Sequence, residues 1–251
     1  MRIRILFLFT IFSVLSFAQE KVQDSITRKK ITAVKLEKAP KIDGNLDDDA
    51  WKNIPIAKDF IEFRPNNGKA EDADFKSEVK IAYDDTGIYV SAMLYDKEPS
   101  KISKELTERD NIGNDDFFVL FLNGYNDKQQ SLELFVTAAG VQADSKITNE
   151  NGEDFSWNGI WYSAAKIVEN GWTVEMKIPF SELRFPKSEV QNWGLNFFRQ
   201  INRTKTAYTW NYINNQKGGF LLYDGVLENI KNIDPPIRLS FMPYFSTYVN
   251  N

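Results

Sequence analysis

Apolar residues in this chain recur at every second position, and no 3.6-residue apolar spacing persists beyond two turns. In VKIAY, Val79, Ile81 and Tyr83 share a face. After the turn signal DDTG, the run IYVSAMLY returns with Ile88, Val90, Ala92 and Leu94 on one face. Two period-two runs joined by a Gly/Asp turn predict a β-hairpin. WYSAAKIV, the turn ENG and WTVEMKI predict a second. FFVLFL, Phe117 to Leu122, is apolar on both faces and predicts a central strand covered on both sides. SLELFVTA, WGLNFFRQI, AYTWNYI and GFLLYDGVLENI add further short strands. The fold class expected is all-β, an antiparallel β-sandwich of jelly-roll type. A length of 251 residues is enough for one large domain with a sizeable core.

The two ends follow other rules. Arg2 and Arg4 precede the uncharged run ILFLFTIFSVLSFA, and Ser16, Phe17 and Ala18 supply a cleavage site before Gln19. This run is too short to span a membrane comfortably, so residues 1–18 are expected to be a cleaved secretory signal. Residues 19–30 are polar and aperiodic, a leader before a sandwich over 31–233. From Ile237, IRLSFMPYFSTYV alternates again, with Ile237, Leu239, Phe241 and Phe245 on one side and Arg238, Ser240, Tyr244 and Tyr248 on the other. An aromatic strand of about ten residues, apolar outward and polar inward, matches an outer-membrane barrel strand. Residues 234–251 are therefore expected to begin a barrel, and the protein to reside in the periplasm or outer membrane.

Composition excludes whole classes of chemistry. The chain has no histidine and no cysteine. Ser-His-Asp and Cys-His catalysis, thiolate metals and disulfides cannot be built. Without Arg2 and Arg4 the balance is 29 basic against 35 acidic residues, a charge of −6. Nucleic acid, which calls for a basic patch, is not an expected partner. The chemistry left is that of carboxylates: paired acids, as in glycosidases, or oxygen-ligated calcium. Acidic stretches such as NDD and YNDK could serve a structural calcium; no other cofactor is expected. The ligand-spaced loop D-x-[DN]-x-[DN]-G is absent.

Aromatic residues make up 14% of the chain, and six are tryptophan. Sugar rings stack on such faces. Trp172 alternates with Val174, Met176 and Ile178, and Trp193 with Leu195 and Phe197, so both belong to the core. Trp51 sits above Ile54 and is assigned there too. Trp157, in the loop FSWNG, Trp161, at the start of a strand, and Trp210, beside Tyr208 and Tyr212, are the candidates for carbohydrate stacking. Arg109, beside Asp110 in ERDNIGNDD, and Arg199 are the candidates for orienting hydroxyls. Arg203 is a weaker one. Arg199 shares the face of Trp193, Leu195 and Phe197, where a guanidinium needs a buried partner or a ligand. Asp115, Asp116 and Glu175 are the acids open to acid/base work, but Asp115 and Asp116 are neighbours that point to opposite faces.

Five motifs in one order then carry a resemblance: KIDGNLDDDAW, VKIAYDDTGIYVSAMLYD, NDDFFVLFLN, GWTVEMKIPFSEL and WGLNFFRQINR. Together they resemble carbohydrate-binding module family 9 and its DOMON-like relatives over about residues 38–230. DFSWNGIWYSAA and LRF are similar to exported bacterial proteins in which such a domain precedes an outer-membrane barrel of unknown function. The resemblance implies a sugar-binding β-sandwich, often beside glycan-degrading machinery, with calcium in some members. A non-catalytic saccharide-binding module serving carbohydrate catabolism is the leading expectation. A domain docked on its own barrel without sugar binding is the second, and an O-glycosyl hydrolase the third. Within KIDGNLDDDAW, Lys41 and Ile42 are expected to end a strand, Asp43 and Gly44 to turn, and Asn45 to cap a short helix pinned by Trp51 and Ile54.

Overall fold

The computed structural model describes residues 27–236 and Ser246. The signal run and all of the alternating segment except Ser246 lie outside the described residues. Among those described, no helix is long and apolar enough to cross a membrane. The first half of the chain supplies β1 (Lys30–Thr32), β2 (Val34–Lys35), β3 (Ile56–Ala57), β4 (Ile61–Arg64), β5 (Ser77–Tyr83), β6 (Gly87–Tyr95) and β7 (Phe117–Asn123). The second half supplies β8 (Gln130–Thr137), β9 (Gln142–Thr148), β10 (Gly152–Asp154), β11 (Tyr162–Val168), β12 (Gly171–Pro179), β13 (Val190–Ile201), β14 (Thr206–Thr209) and β15 (Gly225–Lys231).

These strands form two sheets. The larger runs β1-β15-β13-β7-β8-β9-β10, with β14 and β4 attached beside β13; the smaller runs β11-β12-β6-β5-β2, with β3 on β5. Both expected hairpins are present, as β5–β6 and β11–β12. The pairings are antiparallel except at two edges, where β1 lies parallel to β15 and β2 to β5. The result is the β-sandwich that the period-two pattern predicts.

β7 is central and covered on both sides, as its composition requires. Phe118, Leu120 and Leu122 enter the core between the sheets, with Trp172, Trp193, Leu195 and Phe197. Val119 and Phe121 point the other way, into a second cluster with Phe135 and Phe198. Phe63 and Phe220 close that outer cluster edge-on or tilted against Phe198 and Phe121. Outward packing of this kind buries side chains that a plain sandwich would leave wet.

One acid is sealed beneath that outer cover. Glu133 pairs in register with Phe121 and Ser145, is 1% exposed, and accepts the Ser145 hydroxyl. Burial pushes its carboxyl up to about 8. Between the ordinary carboxylate range and that value the native state holds a proton that the unfolded chain has lost. Stability from this group is full at low pH and disappears as pH rises through 8. Urea unfolding of the wild type should lose on the order of 2 kcal/mol more than Glu133→Gln between pH 6 and 8. Parallel curves for the two proteins would refute the assignment.

KIDGNLDDDAW closes the smaller sheet from outside the core. A 3-10 turn spans Asp49–Trp51 with Asp48 at its N-cap position and no side-chain cap. Asn45 does not cap it, because Asp43 holds Asn45 instead: Asp43 Oδ1 accepts the Asn45 amide and side chain, each at 3.0 Å. Nor does a strand end at Lys41 and Ile42. The stretch is anchored by Glu175, whose Oε2 accepts the amides of Asp43 and Gly44 and whose Oε1 accepts the Trp51 indole at 2.9 Å. Burial raises this carboxyl above its ordinary range. Glu175 is thereby spent on holding a loop rather than on acid/base chemistry. Asp115 and Asp116 each commit one oxygen in the same way, accepting the amides of Glu105 at 2.7 Å and Asn202 at 2.9 Å, and bury the other without a partner.

Candidate carbohydrate-contact cleft

The core between the sheets ends at β9. Val136, Leu134, Leu132 and Gln130 of β8 stand in register with Gln142, Asp144, Lys146 and Thr148 of β9. The inward face of β9 is thus a row of four polar side chains beside an almost wholly apolar one. A polar row facing inward requires partners or a ligand.

Asp144 finds its partners in the segment that arches over it. This carboxylate is fully buried, and its Oδ1 accepts the Gly159 amide at 3.0 Å. Its Oδ2 accepts the Trp161 indole at 2.9 Å and pairs with the Arg109 guanidinium. Arg109 also donates to Gln142 Oε1 at 2.5 Å and to the Gly159 carbonyl at 3.2 Å, and lies 6.0 Å from the Trp161 ring centre. Asp110, at φ 66°, accepts the Asp144 amide through its side chain. Three sequence candidates, Arg109, Trp157 and Trp161, therefore meet around β9. Two of them are supports: Trp161 is 5% exposed and Arg109 is committed to Asp144.

Trp157 stands differently. It is half-buried, rests on the edge of the core, and has the Lys146 ammonium 5.6 Å from its ring centre. Gly159 leaves room for it, since a Cβ there would sit 2.7 Å from the indole. Beside it opens a cleft of about 840 Å³. Leu132, Leu183 and Trp193 contribute apolar lining, while Gln130, Lys128, Asn151, Glu182 and Arg184 bring amides and charges of both signs. Tyr125, 55% exposed at the turn between β7 and β8, lines the same cleft.

That turn is rigid. Asn123 Oδ1 accepts the amides of Tyr125 and Asn126, and its amide nitrogen donates to Asp127 at 3.0 Å. Gly124 packs so close to the Arg184 carbonyl that a Cβ would lie 2.2 Å from it, which fixes the turn against the 182–184 rim. Tyr125 and the cleft amides were not among the sequence candidates. The signal was present, an aromatic at the tip of NGYND, but a turn signal does not say what the turn faces.

Two sequence candidates lie elsewhere. Trp210 is 3% exposed, packs on Phe197 at 5.8 Å and closes over Gly225, so no face is free for a sugar. Arg199 is fully buried and donates to the carbonyls of Phe75, Lys76 and Tyr95. Its partner is the backbone, not a ligand. Arg203 forms a two-pronged pair with Asp96, both contacts at 2.7 Å. Among the described residues no three acidic side chains converge as a cation site would need.

A family model described as carbohydrate family 9 binding domain-like matches residues 42–217. Among solved structures, the chain is similar to a carbohydrate binding module family 9 from Caldicellulosiruptor kristjanssonii in complex with cellotriose. That likeness has 17% identity and a TM-score of 0.52 over 87% of this chain and 100% of the other. The complex with glucose from the same organism gives 17% and 0.53 over 84% and 99%. A candidate carbohydrate-binding protein from Bacteroides uniformis gives 12% and 0.61 over 83% and 100%. Among curated proteins none matches this sequence.

Proposed function

The chain belongs to the carbohydrate family 9 binding domain-like family, and on that premise we propose that it binds saccharides, without cleaving them, in the cleft between Trp157 and Tyr125. The observation that carries this reading is the cleft's make-up: the half-buried ring of Trp157 and the exposed ring of Tyr125 share one cleft with side-chain amides and charges of both signs. Sugars present apolar C–H faces and a girdle of hydroxyls, and such a surface answers both. The glucose and cellotriose carried by similar structures make β-glucans the first ligands to try.

In this reading the module is exported and works at the outer membrane, in carbohydrate catabolism. The run headed by Arg2 and Arg4 supports export, and the alternation from Ile237 supports a barrel as its partner.

Trp157→Ala and Tyr125→Ala should each weaken glycan binding about tenfold by titration calorimetry. Tyr125→Ala should leave the melting temperature unchanged, because that ring is mostly in solvent. Unchanged affinity in the double variant would remove the cleft from the function.

A further inference from the structure

The polar row of β9 continues past the Trp157 cleft. Beyond the arch at Gly159, at the Gln142 end of the strand, a second depression of about 830 Å³ opens. Tyr162, 55% exposed, and Leu106, 86% exposed, stand on its walls with Gln142, Ser163 and Lys177. No carboxylate lines it. Its frame is fixed. Gln142 accepts from Arg109 and donates to the Ser163 hydroxyl at 2.9 Å, while Tyr162 pairs with Lys177 across β11 and β12. The Tyr162 hydroxyl has no partner among the described residues. A tyrosine held open on this frame and a leucine exposed in the loop beside it have no packing duty inside the domain.

Both depressions thus join an exposed ring to an amide and a cation, and both use the inward face of one strand. Gln142 and Thr148 are six residues apart, roughly 20 Å along an extended strand. That exceeds one sugar ring and suits a short chain of them. Between the depressions the arch shows solvent an amide at Asn158 and an apolar side chain at Ile160, which is 70% exposed.

We propose that the depression at Tyr162, Leu106 and Gln142 is a second contact area for the same ligand, and that this ligand is an extended saccharide chain lying along β9 across the arch. The proposal rests on the Trp157 cleft being a sugar site, and the experiment separates the two. The intact protein is titrated with cello-, xylo-, malto- and laminari-oligosaccharides, each from the monosaccharide to the hexasaccharide. For the ladder that binds, affinity should rise about tenfold from disaccharide to hexasaccharide. Tyr162→Ala and Leu106→Ala, both at exposed positions, should abolish that rise and leave disaccharide affinity unchanged. Trp157→Ala should weaken every length. Affinity independent of length, or an equal loss at every length in Tyr162→Ala, overturns the second area and leaves the cleft standing. Binding of no ladder overturns both.

Discussion

Arg199→Met should lower the unfolding free energy by about 3–5 kcal/mol. The guanidinium is fully buried, and its Nη1 donates to the Phe75 and Lys76 carbonyls at 2.7 and 3.0 Å. Nη2 donates to the Tyr95 carbonyl at 2.7 Å. These bonds tie β13 of the larger sheet to the start of β5 and the end of β6 in the smaller. Methionine keeps most of the volume and removes every donor, so the Phe75 and Tyr95 carbonyls lose theirs in a dry interior, while the Lys76 carbonyl keeps the Tyr95 amide at 2.9 Å. Burial pulls the guanidinium down to about 10, with Asp116, Asp96 and Glu71 opposing the shift, so it stays charged at neutral pH. Arg199→Lys should recover little, because one ammonium cannot span acceptors placed for a fork. Urea unfolding of both variants checks this; a loss under about 1 kcal/mol in the methionine variant would mean that water or backbone shifts satisfy the carbonyls.

Arg199 also shows what a sequence can and cannot say. Its place on the face of Trp193, Leu195 and Phe197 is a period-two fact and is readable directly. That it needs a buried partner follows from its charge. The partner is unreadable, because a carbonyl at the end of a strand more than a hundred residues away leaves no mark in residue identity. Trp210 fails for a related reason. Alternation puts Trp210 on the face of Tyr208, and it does lie there, but that this face is the core is not readable in TAYTWNYI, where tyrosines flank the indole. The indole turns in against Phe197. Trp172 and Trp193 were legible because they sit within long strands, where alternation with aliphatic neighbours settles the face.

The cleft follows the same division. Trp157 could be singled out because FSWNG gives an indole no strand to belong to. Arg109 and Trp161 could be suspected but not assigned, since only the third dimension places Asp144 between them. Asp144 itself was invisible. In QADSKIT the polar residues at alternate positions look like an ordinary solvent face, and it is the arch above them that turns that face inward.

Asp144 is accordingly where the second large effect is expected, on binding more than on stability. Asp144→Ala leaves the Trp161 indole nitrogen and the Gly159 amide without an acceptor, at a cost of about 2–4 kcal/mol. Arg109, 38% exposed, escapes the same penalty by turning into water. The arch then loses two of its anchors to β9 and keeps the Gln142 amide on the Trp161 carbonyl at 3.3 Å. Trp157, held between that arch and Lys146, no longer has a fixed position over the cleft. Ligand affinity should fall at least tenfold, because a ring that must be ordered on binding adds that cost to every complex. Asp144→Asn is the sharper test. It preserves size and one acceptor but sets an amide donor against one of the N–H groups, so it should resemble alanine in binding while melting at a higher temperature. Arg109→Ala should do neither to the same degree. Hydrogen exchange at Gly159 reports the arch directly: faster exchange with full affinity retained would show that the arch is not what positions Trp157.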